Sequence, residues 1–210
     1  MKYEYRKMEK DIYGIKAKPT LSVIPSQRYI CIHGTGAPET EEFTSKIGVL
    51  YSLSYAIRMM PHSGFTPEGY FEYTVYPLEG LWDLSEKGRE SEILLKEEFV
   101  YDLMIRQPDF VSQEIFDRAF EIAKKKNLPY LDEAYLTDIE DGLSLSMLHK
   151  GPYENENDTF AIMDEFIREN NIPFTDENRV HREIYLSDVR RSKPENLKTI
   201  LRYRNLASGK

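Results

Sequence analysis

The sequence predicts an α+β fold: two tandem strand-helix-strand-strand units form one antiparallel sheet, with helices on one face and a groove on the other. Segments rich in β-branched and aromatic residues alternate with segments whose apolar residues recur at helical spacing. This order occurs twice along the chain. The first strand of each unit also ends in a histidine, His33 or His149, followed by a turn that contains glycine and proline. These repeated features favour a duplication, with the groove where the two copies meet.

The first unit is predicted over about residues 27–126, after an N-terminal extension of residues 1–26. The segment RYICIH has strand composition, and the glycines of the following GTGAPET end the strand. Apolar residues from Phe43 to Ile57 recur at intervals of three and four, which predicts a helix that Pro61 ends. Ser112 is the predicted N-cap of a second helix. The predicted elements around the first helix are strands at residues 28–33, 71–76 and 101–106 and a helix at residues 113–126.

The second unit is predicted over about residues 131–205, so that residues 27–205 make up one domain. Its first strand, LSLSMLH, is followed by the turn GPYENEND. Phe160, Met163, Phe166 and Ile167 then share one helical face, which indicates a helix that packs against a sheet. The predicted elements are a strand at residues 143–149, a helix at residues 159–170, and strands at residues 180–187 and 199–204.

Composition and charge exclude several classes of protein. The 210 residues carry a net charge of −8, which gives no surface that attracts nucleic-acid phosphates. The most apolar stretch, residues 47–60, is interrupted by polar residues and is shorter than the roughly 20 residues of a membrane span. The single cysteine, Cys31, allows no internal disulfide, and no signal peptide is present. We therefore expect a cytoplasmic protein that binds neither nucleic acid nor membranes.

Residues with the chemistry of a site lie on the strand VHREIYLS. Side chains alternate between the two faces of a strand, so His181, Glu183 and Tyr185 share one face. We expect Val180 and Ile184 to face the helices and Glu183 to face the groove. A carboxylate among aromatic rings binds flat or cationic molecules, and partial desolvation makes it a stronger base. The alternative is that Glu183 is an ordinary surface residue.

Aromatic and polar residues elsewhere are candidates for the same groove. Alternation along the strand YDLMIR places Met104 and Arg106 on its groove side. Glu79 and Trp82, the only tryptophan, follow a proline and are expected at the rim of the groove, with Glu79 in a turn. Because the sequence has 15 tyrosines, a core or ordinary surface position is the alternative for each of them. The tyrosine candidates are Tyr55, Tyr135 and Tyr153.

Other motifs carry less specific signals. Gly34 and Gly36 follow a strand as in a dinucleotide-binding loop, but the third glycine of that motif is absent. The four histidines lack the spacing of metal ligands, so no metal is expected. Cys31 lies in the middle of a predicted strand, which favours a buried thiol over a nucleophile.

Four longer segments resemble a known family. They are PLEGLW at residues 77–82, LMIRQPDFV at residues 103–111, HKGPYENE at residues 149–156 and HREIYLSDVRRSKPENLKTILR at residues 181–202. The segments are similar to those of the GyrI-like small-molecule-binding superfamily, and more narrowly to its stand-alone branch that includes cyclopropanoid cyclopropyl hydrolases. The resemblance extends from about Tyr29 to Arg204 and implies the same tandem strand-helix-strand-strand fold.

The resemblance also implies a set of functions. Members of the superfamily act as effector-binding domains of multidrug-responsive regulators, as gyrase inhibitors, or as hydrolases that open the cyclopropane of DNA-alkylating genotoxins. The roughly 25 residues ahead of the first predicted strand are too few for a helix-turn-helix, which disfavours a regulator. The acidic pocket residue of the family matches Glu183, and its aromatic walls match Trp82 and Tyr153.

The leading hypothesis is a cofactor-independent hydrolase that detoxifies spirocyclopropyl dienones. Glu183 would act as general base for water, and Tyr135 or Tyr185 would donate a hydrogen bond to the dienone oxygen. Two alternatives stay open: a non-catalytic protein that binds planar or cationic drugs, with Glu183 as the counter-charge, and a gyrase-inhibitor-like protein. The predicted substrate-binding residues are Trp82, Tyr153, Tyr55, Met104, Arg106, Glu79 and His181.

Overall fold

The computed structural model describes residues 2–188 and 191–207. The chain divides into two compact units. Neither unit is a continuous piece of sequence. Val189 and Arg190, which belong to one of the segments that resemble the family, lie outside the described residues. The first unit comprises Met1–Tyr5, Gln27–Leu78 and Asp83–Ile139, and the second comprises Arg6–Ser26, Glu79–Trp82 and Glu140–Lys210.

The elements of the described residues follow each other with short connections. The strands are β1 (Thr20–Ile24), β2 (Gln27–Thr35), β3 (Leu78–Leu84), β4 (Phe99–Arg106), β5 (Tyr135–Ile139), β6 (Gly142–Lys150), β7 (His181–Tyr185) and β8 (Lys198–Tyr203). The α-helices are α1 (Tyr5–Met8), α2 (Lys10–Tyr13), α3 (Glu41–Met59), α4 (Glu86–Glu90), α5 (Gln113–Lys124) and α6 (Glu156–Glu169). Short 3-10 helices are found at Met60–Ser63, Lys96–Glu98, Leu131–Glu133, Tyr153–Asn155, Asp176–Arg179 and Pro194–Asn196.

In the first unit, β2 pairs with β4 on one side and with β5 on the other, both antiparallel. Helix α3 begins where Thr40 accepts a hydrogen bond from the backbone N–H of Phe43 at 3.2 Å. The Phe43 ring packs edge-on against Tyr101 of β4, at 5.1 Å between centroids. Tyr101 and its alternate neighbours on β4 therefore face α3, as predicted. Ser112 caps α5 as predicted, by accepting from the N–H of Ile115.

In the second unit, the antiparallel strand order is β1, β6, β8, β7, β3. Helix α6 covers one face of these strands, because apolar residues of the helix and of β6 and β8 form one buried cluster. Burial of this apolar face is the main stabilising contribution to the unit. The cluster consists of Leu145, Met147, Met163, Ile167, Leu201, Tyr203 and Leu206, with Phe160, Phe166 and other partly buried residues packed on it.

The predicted α+β class with antiparallel strands is confirmed, but one predicted strand is wrong. Residues 71–76 form no ladder; Tyr73 makes only an isolated bridge to Tyr3. The aromatic residues that suggested a strand instead pack on each other and on Phe110, with Tyr73 1% exposed. The aromatic enrichment of this segment therefore indicates a cluster of rings and not a strand. Strand propensity reflects the packing of side chains on their neighbours more than a preference of the backbone, so the same residue types favour both. The strand lies further on, at Leu78–Leu84.

Two strands lie in segments that the sequence analysis left without strands. Strand β1 falls within the predicted N-terminal extension and pairs with β6, so it belongs to the second unit. Strand β5 lies within the residues predicted as the second unit, but it pairs with β2 and belongs to the first. Both are only five residues long. Among the described residues, no helix has both the length and the apolar character that crossing a membrane requires.

Candidate functional site

Strand β7 carries Glu183 on the face that α6 covers. His181 and Glu183 lie opposite Tyr203 and Leu201 of β8, which belong to the cluster beneath α6. Phe160 of α6 also contacts the ring of His181, at 4.8 Å between centroids. The expectation that Ile184 faces the helix and Glu183 faces away from it is therefore wrong. The apolar character of Ile184 gave no guidance, because both faces of β7 are buried at its centre.

Glu183 is held by a chain of two hydrogen bonds. The hydroxyl of Tyr185 donates to Oε2 of Glu183 at 2.7 Å. The indole Nε1–H of Trp82 donates to the same hydroxyl at 2.8 Å. Because an indole N–H can only donate, the single proton of Tyr185 is committed to Glu183. Glu183 is 8% exposed, so these donors fix a carboxylate that is almost out of contact with water.

His181 approaches the other oxygen of the same carboxylate. Its Nε2 lies 3.1 Å from Oε1 of Glu183, and its Nδ1 lies 3.2 Å from the carbonyl oxygen of Arg179. A carbonyl and an ionised carboxylate both accept only. Nε2 of His181 therefore donates to an ionised Glu183 when it carries the ring proton.

Gly80 makes room for the indole of Trp82. A Cβ atom at position 80 would lie 2.6 Å from Nε1 of Trp82. Residues 80 and 82 point to the same side of β3, and Gly80 lies opposite Glu183 in the pairing with β7. The absence of a side chain at this position therefore lets the indole reach the Tyr185 hydroxyl.

Tyr153 borders the site at its more exposed side. Its ring meets that of Tyr185 edge-on, with 5.9 Å between centroids and 84° between planes, and it is 37% exposed. Burial, followed by the negative charges of Glu183 and Glu156, raises the pKa of Tyr153 to about 12. The hydroxyl is therefore neutral near pH 7 and keeps a proton to donate. The structure thus brings together five of the predicted residues: Glu183, Tyr185, His181, Trp82 and Tyr153.

Glu156 is part of this site and was missed by the sequence analysis. It is the first residue of α6 and is 8% exposed. Burial first, and then the charge of Glu183, raises the pKa of Glu156 far above its usual range. Acidic residues are common in the first turn of exposed helices, so the pattern gave no sign of burial. The only signal was its place in HKGPYENE, one of the segments that resemble the family.

Four further predicted residues lie in the first unit. Met104 of β4 and Tyr135 of β5 flank Cys31 of β2 on one face of the strands. Burial raises the pKa of Tyr135 to about 12, with smaller contributions from Asp102 and Cys31. Arg106 stacks over the ring of Tyr76 at 4.8 Å, and Tyr55 is a half-exposed residue of α3. Their participation in a site with Glu183 stays a prediction.

Glu79 is not the rim residue that was expected. It lies within β3, is 1% exposed, and accepts a hydrogen bond from Arg182 at 2.8 Å. Arg182 also binds Asp141, which in turn contacts Arg202 at 3.1 Å. These side chains lie on the face of β7 opposite Glu183 and form a buried ion cluster. No group of three or more potential metal-binding side chains occurs within the described ranges.

Solved structures with the same fold were found by comparison. A hydrolase from Listeria innocua is 32% identical, with 98% of this chain and 100% of that chain covered and a TM-score of 0.86. Another structure of a hydrolase from Listeria innocua is 32% identical, with coverages of 99% and 100% and a TM-score of 0.88. The C-terminal domain of EcmrR, at 13% identity, coverages of 91% and 98% and a TM-score of 0.52, shares the fold alone.

Sequence comparisons give the family. No curated protein matches the chain. A family model, described as the GyrI-like small molecule binding domain, matches residues 17–204. The match includes β1 and every residue of the site around Glu183. The chain therefore belongs to the GyrI-like family of small-molecule-binding domains.

Proposed function

We propose that this protein hydrolyses a small molecule, with Glu183 as the general base for the attacking water. The observation that carries the proposal is the environment of its carboxylate. Glu183 is nearly buried, and among the described residues its carboxylate contacts the hydroxyl of Tyr185 and the ring of His181, with no salt bridge to Lys or Arg. A carboxylate held in this way is oriented to take a proton from a water molecule. The similarity to two Listeria innocua hydrolases supports hydrolysis as the reaction.

The carboxylate has lone pairs left to accept from water. A carboxylate has about four lone-pair positions. Tyr185 and His181 occupy one position on each oxygen. The remaining positions can accept the proton of a water molecule. The two neighbours also fix the orientation of the carboxylate, which is a condition for efficient proton transfer.

The substrate class we propose is a spirocyclopropyl cyclohexadienone fused to a planar aromatic system. Water attacks the cyclopropane methylene carbon while Glu183 takes a proton from it. The spiro carbon–carbon bond breaks, and its electron pair moves into the dienone, which becomes a phenolate. The proton held by Glu183 returns to the phenolate through solvent. The sum is addition of one water, and no oxidant or cofactor enters the balance.

The donor to the dienone oxygen is a tyrosine other than Tyr185, because the proton of Tyr185 is engaged by Glu183. Within the described residues, Tyr135 and Tyr153 make no hydrogen bond through their hydroxyls. Tyr153 contacts Tyr185 and is our first assignment, and Tyr135 is the second. A neutral phenol at either position would stabilise the developing phenolate. The edge of Trp82 and the ring of Tyr153 supply apolar surface for the substrate.

The test is turnover of a spirocyclopropyl cyclohexadienone, followed by mass spectrometry as gain of one water. Glu183→Gln keeps the shape and removes the base, so we expect turnover to fall by about 10²–10⁴-fold. Glu165→Gln makes the same change on the exposed side of α6 and serves as the matched control. Unchanged turnover in Glu183→Gln would remove Glu183 from the chemistry.

A second candidate function is supported by the same environment. An anionic carboxylate bordered by aromatic rings is also the arrangement that binds organic cations. Calorimetric titration with a planar aromatic cation, followed by mass analysis of the recovered ligand, separates the two functions. Tight binding that Glu183→Gln abolishes, with ligand recovered intact and no turnover of the dienone, would replace the hydrolase proposal by a binding protein.

A further inference from the structure

His33 and Asp102 form a dyad in the first unit that the proposed function does not use. They lie directly opposite each other in the pairing of β2 with β4, and Nδ1 of His33 is 2.9 Å from Oδ1 of Asp102. Tyr101, the neighbour of Asp102, packs on Phe43 of α3, so the dyad lies on the face that points away from this helix. The side chains of His33 and Asp102 are 58% and 36% exposed, so a small molecule can reach both.

The contact with Asp102 fixes the tautomer of a neutral His33. An ionised carboxylate only accepts, so Nδ1 carries the ring hydrogen and donates it. Nε2 then has a lone pair, and no residue that the structure describes makes a hydrogen bond with it. A ring that a carboxylate orients, with its other nitrogen open, is the arrangement of a histidine general base.

His149 of the second unit has the opposite arrangement. It is 4% exposed, and both of its ring nitrogens are engaged: Nδ1 lies 2.9 Å from the hydroxyl of Thr159, and Nε2 lies 3.1 Å from the carbonyl oxygen of Pro152. Because a carbonyl only accepts, a neutral His149 carries its hydrogen on Nε2. The two histidines at the ends of corresponding strands therefore differ. His149 is packed against α6, whereas His33 presents an open nitrogen to solvent.

Tyr135 places a hydrogen-bond donor on the same face as the dyad. It lies opposite Cys31 in the pairing of β2 with β5, and Cys31 and His33 point to the same side of β2. Diagonal neighbours on such a face are about 7–8 Å apart, a distance that a small molecule spans. Tyr135 is 42% exposed, and burial is the main cause that raises the pKa of its hydroxyl to about 12, so the hydroxyl is neutral and can donate. This face therefore carries a base and a neutral donor.

We propose that His33, Asp102 and Tyr135 form a second catalytic site, which hydrolyses small uncharged carboxylic esters. Nε2 of His33 takes a proton from water while the water oxygen bonds to the carbonyl carbon of the ester. The hydroxyl of Tyr135 donates to the carbonyl oxygen, which becomes negatively charged. The carbon–oxygen bond to the alcohol then breaks, and the imidazolium returns the proton to the alcohol oxygen. One water is consumed, and a carboxylic acid and an alcohol are formed.

Asp102 is the positioning residue of this site, since it acts only through the ring of His33. Its negative charge beside the base also repels anionic esters, which is why the proposed substrates are uncharged.

The first arm of the test needs no substrate. Heteronuclear NMR of the histidine rings shows which nitrogen carries the hydrogen, and at alkaline pH we expect Nδ1–H for His33 and Nε2–H for His149. Asp102→Asn replaces one acceptor oxygen by an N–H donor, so it should remove the excess of Nδ1–H over Nε2–H in His33 and leave His149 unchanged. An Nε2–H tautomer of His33 in the wild type would overturn the proposal.

The second arm measures hydrolysis of para-nitrophenyl acetate. His33→Gln should lower kcat/KM by about 10²-fold. Asp102→Asn should lower it by at least about tenfold through the tautomer, and Tyr135→Phe by about tenfold through the lost donor. His62→Gln makes the same change at an exposed histidine that has no carboxylate partner among the described residues, and it should leave the rate unchanged. Equal rates in His33→Gln and His62→Gln would refute the site, and an unchanged rate in Asp102→Asn would refute the positioning role.

The pH dependence of the same reaction is a further readout. Wild-type hydrolysis should decline at acid pH, because a protonated imidazole takes no proton from water, and this decline should be absent in His33→Gln. A decline that persists in His33→Gln would contradict the role of His33. Other titratable groups around His33 are retained in that variant: Asp102 of β4, Tyr135 of β5, Cys31 of β2, Lys46 of α3, which donates to the backbone carbonyl of His33, and Glu42 and Glu133, which bind Lys46.

Discussion

The two faces of β7 carry buried acids in opposite electrostatic settings. On the face away from α6, Glu79 and Asp141 are surrounded by the guanidinium groups of Arg182, Arg202 and Arg204. On the face toward α6, Glu183 contacts the ring of His181 and the hydroxyl of Tyr185 instead. Adjacent residues of one strand thus belong to a neutralised cluster of acids with arginines and to a site whose acid has no arginine partner among the described residues.

The difference separates a structural role from a chemical one. Arginine partners favour the ionised form of a buried acid, whereas burial disfavours it. For Glu79 burial outweighs the charges of Arg182 and Arg202 and raises the pKa. Burial alone would raise the pKa of Asp141, but the charges of Arg182 and Arg202, with further contributions from Arg204, lower it to about 2. Glu183 lacks such a partner among the described residues, and its carboxylate is held by a hydroxyl and a histidine ring instead. Chemistry is therefore expected on the α6 face.

The largest effect should come from breaking the neutralised cluster. Arg182→Met leaves Glu79 and Asp141 with one partner fewer each in a site that is 1% exposed or less. We expect the free energy of unfolding to fall by about 3–5 kcal/mol in urea denaturation. Glu183→Gln, one residue along on the other face, should change it by less than about 1 kcal/mol. Arg204→Gln, with a partly exposed side chain, gives a smaller loss if Arg182→Met does not fold. Equal losses in the free energy of unfolding for Arg182→Met and Glu183→Gln would contradict the proposed difference between the two faces of β7.

A fall in pH should have an intermediate effect on the free energy of unfolding, through the acids of the neutralised cluster. Asp141 has a folded-state pKa below its unfolded value, so its contribution is present above about pH 4 and is lost as pH falls toward 2. The loss amounts to about 2 kcal/mol. Asp141→Asn should be less stable near pH 7 and should show a flatter acid dependence, measured by urea unfolding from pH 7 to pH 2. Glu156 at the start of α6 has the opposite sign, because its raised pKa makes its contribution to stability fall as pH rises. Parallel acid profiles for wild type and Asp141→Asn would contradict the account.

The smallest effect should follow from removing the Tyr185 hydroxyl, which donates a hydrogen bond to Glu183. Tyr185→Phe leaves the Trp82 N–H and one oxygen of Glu183 without their shared partner. We expect a loss of about 1–2 kcal/mol in the free energy of unfolding and about tenfold in turnover. Tyr203→Phe is a suitable control, since it removes a hydroxyl that binds Asp164 and not Glu183. A turnover loss as large as that of Glu183→Gln would instead make Tyr185 part of the chemistry.

Much of the fold could be predicted from local patterns. The cap at Ser112, the apolar face of α3 and the strand composition around Glu183 are local features, and the structure has them where they were expected. The short strands β1 and β5 could not be predicted, since each is stabilised by a partner distant in sequence, β6 for one and β2 for the other. The aromatic residues before β3 were assigned to a strand because ring packing and strand pairing favour the same residue types.

The candidate site was predictable in its centre and not in its surroundings. The alternation along β7 identified Glu183, His181 and Tyr185 as neighbours, because period two is a property of any strand. Which face the helix covers depends on tertiary packing, and the buried Arg182 on the other side reversed the usual hydrophobic rule. Glu79 and Glu156 had the sequence context of surface acids. Their burial is set by the fold and has no signal in the local sequence.

The glycine at position 80 has a practical consequence through the indole that it accommodates. Trp82 is the chain's only tryptophan, and its N–H is one hydroxyl away from the Glu183 carboxylate. Intrinsic fluorescence excited at the indole band therefore originates entirely from the candidate site. Emission wavelength and quenching follow ligand entry or proton loss there without any attached dye, and no second emitter contributes background.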